Sequence, residues 1–266
     1  MNNTADLTVH LQKLRLSRVN EVLDHHVQKA ADQNLTHLEF LRRLLGDVVM
    51  FKEEQAIQGR IKQSRFPFVR RLEDFEYAFQ PSVPAAKVRE LATLRFVEAH
   101  DNLVFLGPPG TGKSHLSVGF GVAACEAGYK VRFTTTEDLL DQLHLAPGQP
   151  VSAAKLVPFL TPDILIIDDF GMQPFTATES HAFFTIVSRR YEKGSMILNS
   201  NKPLLDWGKI LGGDDVLATA ILDRLLHHAH IFNINGNTYR LKDKRHIFLP
   251  EAKTRDKNRS DPAGNL

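Results

Sequence analysis

Gly107-Pro108-Pro109-Gly110-Thr111-Gly112-Lys113-Ser114 is the stretch on which the fold turns. Two glycines at fixed spacing, followed by Lys and Ser, make the pattern of a phosphate-binding loop. Leu103-Val104-Phe105-Leu106 precedes it with strand composition, and residues 115–126 follow with helical character. A loop between a strand tip and a helix start points its free backbone N–H groups at an anion. Its glycines let the backbone curl closely around that anion. In this pattern Lys113 reaches the β- and γ-phosphates, and Ser114 offers its hydroxyl to Mg²⁺. The competing reading, a Gly/Pro turn with one exposed lysine, does not account for the strand before and the helix after.

Downstream, Ile164-Leu165-Ile166-Ile167-Asp168-Asp169 supplies the other half of a nucleotide site. Four consecutive apolar residues fit a central strand covered on both faces. Two carboxylates then emerge at its C-terminal end, where open α/β sheets bind ligands. Asp168 suits Mg²⁺, which takes oxygen ligands and keeps waters. Asp169 suits the orientation or deprotonation of an attacking water. A third strand tip, Met196-Ile197-Leu198-Asn199-Ser200-Asn201, ends in amides. Asn201 is the better placed of the two to hold that water or read the γ-phosphate. Either asparagine could instead cap the next turn.

Strands and helices alternate around these motifs. Strands are expected at 130–135, 163–168, 195–200 and 231–234, and helices at 137–145, 179–192 and 216–228. Alternation of this kind predicts a mostly parallel sheet with helices on both faces. A hairpin is expected at Asn235-Gly236-Asn237, and Pro147-Gly148-Gln149-Pro150 breaks the chain. A dinucleotide fold would show a shorter glycine pattern and an acidic residue after its second strand. A metabolite kinase would need a lid and an arginine-rich substrate pocket.

Upstream, apolar residues from Leu7 to Val27 recur at helical spacing and predict one helix over 6–30. Thr36-His37-Leu38-Glu39 has the capping-box pattern. It starts a second helix, running to about residue 62, whose apolar face holds Leu38, Leu41, Leu44, Leu45 and Val48. A third helix is expected at 72–79. Residues 1–78 then form a small helical domain and 79–250 the nucleotide-binding domain, with 251–266 a disordered polar tail. Gln80-Pro81-Ser82-Val83-Pro84 links the two, and a helix follows it to about residue 100.

Arg60, Lys62, Arg65, Arg70 and Arg71, with Phe66 and Phe68 among them, form one candidate DNA surface. Arg240, Lys242, Lys244 and Arg245 form another. A solvated helix face beside two core phenylalanines is the plainer reading of the first. A net charge of only +2 over 266 residues makes any nucleic-acid binding a matter of local patches. The single cysteine excludes an internal disulfide and fits a reducing compartment. No apolar run reaches the roughly 18 residues of a membrane span. His227, His228 and His230 have no carboxylate or cysteine at a recognised metal-site spacing, and are read as surface or interface residues. Cys125, among alanines, is read as buried.

Together the motifs resemble the IstB-like ATP-binding proteins of insertion sequences, AAA+ ATPases close to bacterial helicase loaders. The resemblance rests on Glu39-Phe40-Leu41, Arg65-Phe66-Pro67, Leu72-Glu73-Asp74-Phe75, the phosphate loop continued through His115-Leu116, and Ile166-Ile167-Asp168-Asp169-Phe170-Gly171. It also rests on Ser188-Arg189-Arg190-Tyr191-Glu192, Ser200-Asn201, Leu222-Asp223-Arg224-Leu225-Leu226-His227-His228 and Tyr239-Arg240-Leu241-Lys242. It implies a cytoplasmic bacterial protein with a P-loop AAA+ α/β fold and a small all-α N-terminal domain. It implies an ATPase that uses ATP and Mg²⁺, binds duplex DNA with little sequence preference and forms a homo-oligomer. The implied partner is the cognate transposase, with no membrane role. By the same resemblance the loop from Gly107 to His115 binds nucleotide, Ser114 and Asp168 hold the metal, and Asn201 is the sensor. Arg224 is the arginine given to a neighbour's nucleotide, and Arg240 a further phosphate- or interface-facing arginine. Many relatives have Glu where this chain has Asp169, one methylene shorter, which implies slow hydrolysis. The alternatives are a helicase loader and a non-hydrolysing, ATP-gated DNA scaffold.

Overall fold

The computed structural model describes residues 3–143, 152–236 and 238–239. Three helices come first: α1 (Asn3–Lys13), α2 (Ser17–Asp32) and α3 (His37–Gln63). The single helix expected over 6–30 is two. Arg15 adopts the left-handed conformation at φ 54°, and its N–H bonds Gln12 O while Leu16 N–H bonds Leu11 O. These two bonds satisfy the last carbonyls of α1 as a Schellman motif does. The fold-back lets Leu11 and Val19 converge on Leu44 and Val48 of α3 in one small core.

α3 begins as its sequence predicts, with the Thr36 hydroxyl accepting from Glu39 N–H at 3.3 Å. The Glu39 carboxylate turns to Arg42 and Arg43 instead of closing a reciprocal box. Only part of the expected apolar face is covered. Leu44 and Val48 are buried, whereas Leu38, Leu41 and Leu45 are 78%, 50% and 50% exposed.

The C-terminal end of α3 is fastened to the rest of the chain. Arg60 Nε donates to Cys125 O at 2.7 Å, and Ser64 O accepts from Phe133 N–H at 2.8 Å. The helix expected at 72–79 is only a single 3₁₀ turn, Leu72–Asp74. Leu72 and Phe75 are spent on packing: they join the core around the central strand. A Cβ on Gly119 would come within 2.7 Å of Leu72, and one on Gly121 within 2.8 Å of Phe66, so these glycines let the segment lie close.

The helix expected up to residue 100 is also two, α4 (Ala85–Leu91) and α5 (Arg95–Glu98), parted by Leu94 at φ 63°. Then follow β1 (Asn102–Leu106), α6 (Lys113–Glu126), β2 (Val131–Thr135), α7 (Thr136–Leu143), α8 (Ala153–Leu160), β3 (Ile164–Phe170), α9 (Ala177–Arg190), β4 (Ser195–Ser200), α10 (Trp207–Ile210), α11 (Asp215–Leu226) and β5 (Ala229–Asn233). Helix α8 was not expected from the sequence, and it buries Leu156 and Phe159 despite Pro158. The break at 147–150 lies outside the described residues.

The sheet is parallel throughout, in the order β2-β3-β4-β1-β5. Alternate residues of its strands feed two cores, because successive side chains point to opposite faces. Val104, Leu165, Ile167 and Leu198 meet α7, α8, α9 and α11 on one face. Leu103, Phe105, Ile164, Ile166 and Ile197 meet α4, α5 and α6 on the other. This is the expected architecture, a parallel sheet between helices. The hairpin expected at Asn235-Gly236-Asn237 runs into residues outside those described. Ile234 N–H bonds Leu106 O, and Tyr239 N–H bonds Gly110 O, so the chain bends over the phosphate loop.

Arg190 stitches the strand starts together. Its guanidinium donates to the carbonyls of Phe159, Pro162, Asp163 and Ser195 at 2.7–3.0 Å. Burial lowers its pKa to about 10, so it stays charged at neutral pH. Arg190→Met fills the volume but strands four carbonyls. A loss of about 3 kcal/mol is expected, read as a lower denaturant midpoint in urea unfolding. A midpoint unchanged from wild type would show that these bonds contribute nothing net.

Candidate nucleotide site

The phosphate loop leaves the tip of β1 at Gly107 and enters α6 at Lys113. Its glycines hold the left-handed backbone that other residues avoid, with φ of 152°, 79° and 97° at Gly107, Gly110 and Gly112. A Cβ on Gly112 would press to 2.6 Å from the Phe75 ring. The Lys113 ammonium donates to Gly107 O at 2.7 Å and Pro108 O at 2.8 Å, which folds its charge into the loop. His115 Nε2 lies 3.0 Å from Arg71 O, and its ring meets Phe75 edge-on.

A cleft of about 920 Å³ opens over this loop. Pro109, Gly110, Thr111, Gly112, Lys113, Ser114 and His115 line one side, and Asp168, Asp169 and Asn201 come from the tips of β3 and β4. Two neighbours on one strand should face opposite ways. Here the β3–β4 register shifts between Ile167 and Phe170, and Asp169 takes a left-handed φ of 53°. Asp168 is buried and Asp169 exposed, yet both line the cleft. Non-glycine residues in this conformation gather where function requires a side chain re-aimed.

Asn199 is the residue that reading the strand tips undervalued. It is fully buried, and its Nδ2 donates to Asp168 Oδ1 at 3.0 Å and to Ser117 Oγ at 2.8 Å. Asp169 N–H adds a bond to the same Asp168 oxygen at 2.9 Å. Thus the carboxylate is held in one orientation. The Asn199 Oδ1 accepts no hydrogen bond among the described residues, and a buried acceptor of this kind fits a water or ligand donor. With the Ser114 hydroxyl opposite, these oxygens suit a hydrated Mg²⁺. An asparagine inside a wholly buried central strand was the available signal, since it must find a partner there. Asn201 sits at the cleft wall beside Met172.

The cleft is also lined by Pro67, Phe68, Arg70, Phe75, Glu76, Gln80 and Tyr239, with Phe75 and Tyr239 against the phosphate loop. None of these was singled out as nucleotide-binding from sequence. Tyr239 reaches Glu76 with its hydroxyl at 2.8 Å and meets Phe79 edge-on.

The family model for the IstB-like ATP binding protein matches residues 9–247. The ATP-binding protein of insertion sequence IS5376 from Geobacillus stearothermophilus is 41% identical, over 93% of this chain and 97% of its own length. That of IS21 from Pseudomonas aeruginosa is also 41% identical, over 90% of both. The chain belongs to the IstB-like ATP-binding family. Among solved structures, DnaI is similar in fold with a TM-score of 0.52 at 18% identity, covering 66% of this chain and 92% of that one. A DNA replication initiation factor has a TM-score of 0.50 at 23% identity, covering 66% and 53%.

In this IstB-like protein Arg224 stands apart from the cleft. It lines a small depression with His100, Tyr191, Glu192 and His228. Its guanidinium donates to Ala220 O at 2.8 Å, one turn back on α11, and lies 5.2 Å over the Phe184 ring. The basic residues of the N-terminal segment are not equivalent either. Arg60 is bonded to the core, Arg71 pairs with Glu126, and Arg70 lines the cleft, while Lys62 and Arg65 are exposed. Arg240, Lys242, Lys244 and Arg245 lie outside the described residues, as does the tail. No described helix is long and apolar enough to cross a membrane.

Proposed function

We propose that this IstB-like protein is a slow, DNA-stimulated ATPase that assembles on duplex DNA as a homo-oligomer and assists its element's transposase in choosing a target. The observation that carries the ATPase reading is the pair of carboxylates on one cleft wall, Asp168 locked and Asp169 re-aimed by its backbone, opposite Lys113 and Ser114. Lys113 takes up the β- and γ-phosphates in exchange for its two loop carbonyls. Ser114 and Asp168 hold Mg²⁺, which neutralises charge on the phosphates. Asp169 orients the attacking water and accepts its proton, and Asn201 holds that water or reads the γ-phosphate. Arg224 completes a neighbour's site.

Asp169→Asn leaves Asp168 and the strand in place and removes the base. ATP and Mg²⁺ should bind as in wild type, while turnover falls by about 100-fold. Complexes on DNA should then last longer in a dissociation assay. Unchanged turnover would assign the water's activation to another group. If wild type itself shows no turnover, with or without duplex DNA, the scaffold reading replaces this one.

DNA binding rests on local charge, since the chain is near neutral. Lys62 and Arg65, exposed at the end of α3, and the basic run from Arg240 to Arg245 are the proposed contacts. Affinity for a random-sequence duplex should fall steeply with salt, because each phosphate neutralised releases a counterion. A salt-independent affinity, or a strong consensus from selection, would count against it.

A further inference from the structure

We propose that Glu192, His227 and His228 form a binding site for one zinc ion at the C-terminal end of α11. Each side chain offers one ligand atom, and all three atoms lie within 4.8 Å of one another. Among the described residues this is the one such group of three. The sequence conceals it. The histidines are adjacent at the end of α11, and the carboxylate comes from the turn after α9.

The local geometry favours a cation. His228 Nε2 is 3.9 Å from Glu192 Oε1, and the two imidazole rings lie 4.1 Å apart between centroids. A metal takes both imidazoles in the neutral form. Bonds of about 2.0–2.2 Å to nitrogen and oxygen put tetrahedral ligand atoms about 3.4 Å apart. All three side chains are exposed, so each can close the remaining distance without disturbing the core. Water completes the fourth position.

A second feature is the hydroxyl of Tyr191, 2.7 Å from His227 Nδ1. It occupies that nitrogen and leaves Nε2 for the ion. Metal-binding histidines commonly carry an outer partner of this kind, which fixes the ring.

Two nearby arginines are engaged away from the site. Arg224 is turned back toward Ala220 and Phe184, and Arg190 is bonded to four carbonyls. His230 is engaged elsewhere, 3.1 Å from Asp101. A bound ion would tie the turn after α9 to the end of the helix that carries Arg224. Imidazole nitrogens with one carboxylate suit zinc, and they also suit nickel or copper where these are available.

The test is a zinc titration of the full-length chain, stripped with chelator and free of nucleotide, against a chromophoric chelator. Wild type should take one equivalent with Kd of about 1 µM or tighter. Glu192→Gln should weaken it about tenfold, and His227→Ala with His228→Ala should remove it. A saturating equivalent of zinc should raise the melting temperature of wild type and not of the double variant. Wild-type binding weaker than about 100 µM, or an equivalent that survives in the double variant, overturns the site. Should the double variant fail to fold, Glu192→Gln, which keeps the side-chain shape, decides alone: unchanged affinity there overturns it.

Discussion

Lys113→Ala is expected to weaken ATP binding by about 100-fold, close to 2.7 kcal/mol, and to reduce turnover below detection. Charge-assisted bonds to phosphate are worth about 1.5–3 kcal/mol each, and a lysine at this position makes more than one. No other lysine or arginine within the phosphate loop takes its place. The same ammonium bonds Gly107 O and Pro108 O, so the substitution also loosens the loop. A thermal melt separates the two effects. A melting temperature near that of wild type, with calorimetric ATP affinity lost, is the expected result. An affinity within twofold of wild type would remove Lys113 from the site.

Arg224→Ala is expected to bind ATP almost normally and to hydrolyse it about 1,000-fold more slowly. An arginine set against the developing charge of phosphoryl transfer is worth about 10³–10⁵ in rate. In its own subunit Arg224 does not line the cleft, and its guanidinium is committed to Ala220 O and the Phe184 face. In the proposed assembly, the effect on hydrolysis is exerted on a neighbour's nucleotide. Mixing makes this testable. Lys113→Ala keeps a working arginine, and Arg224→Ala keeps a working loop. Random co-assembly pairs the two intact halves at roughly one interface in four, so about a quarter of wild-type turnover should return. No recovery, with co-assembly shown by crosslinking, would sink the shared site.

The phosphate loop was legible because its chemistry is local. Backbone N–H groups, glycine conformations and the lysine all lie within eight residues, flanked by a strand and a helix that short-range patterning reveals. The apolar run ending in Asp168-Asp169 was legible for the same reason. Its position at a sheet's C-terminal edge follows from the alternation of strands and helices. Thr36 likewise announced the start of α3.

What the sequence hid depends on which segments meet. The break at Arg15 comes from a left-handed turn that pays off only when Leu11 and Val19 reach the same core. Leu72 to Phe79 has helical composition, but burying Leu72 and Phe75 against α6 outweighed the backbone bonds of a helix.

At the site, sequence by itself determined the loop, the two carboxylates and the family. Only the tertiary structure decided that Asn199 holds Asp168, that residues between Pro67 and Gln80 wall the cleft with Tyr239, and that Glu192 stands beside His227 and His228. The physical reason is common to all three. A side chain's partners are set by the elements packed around it, and those elements are dozens of residues away along the chain.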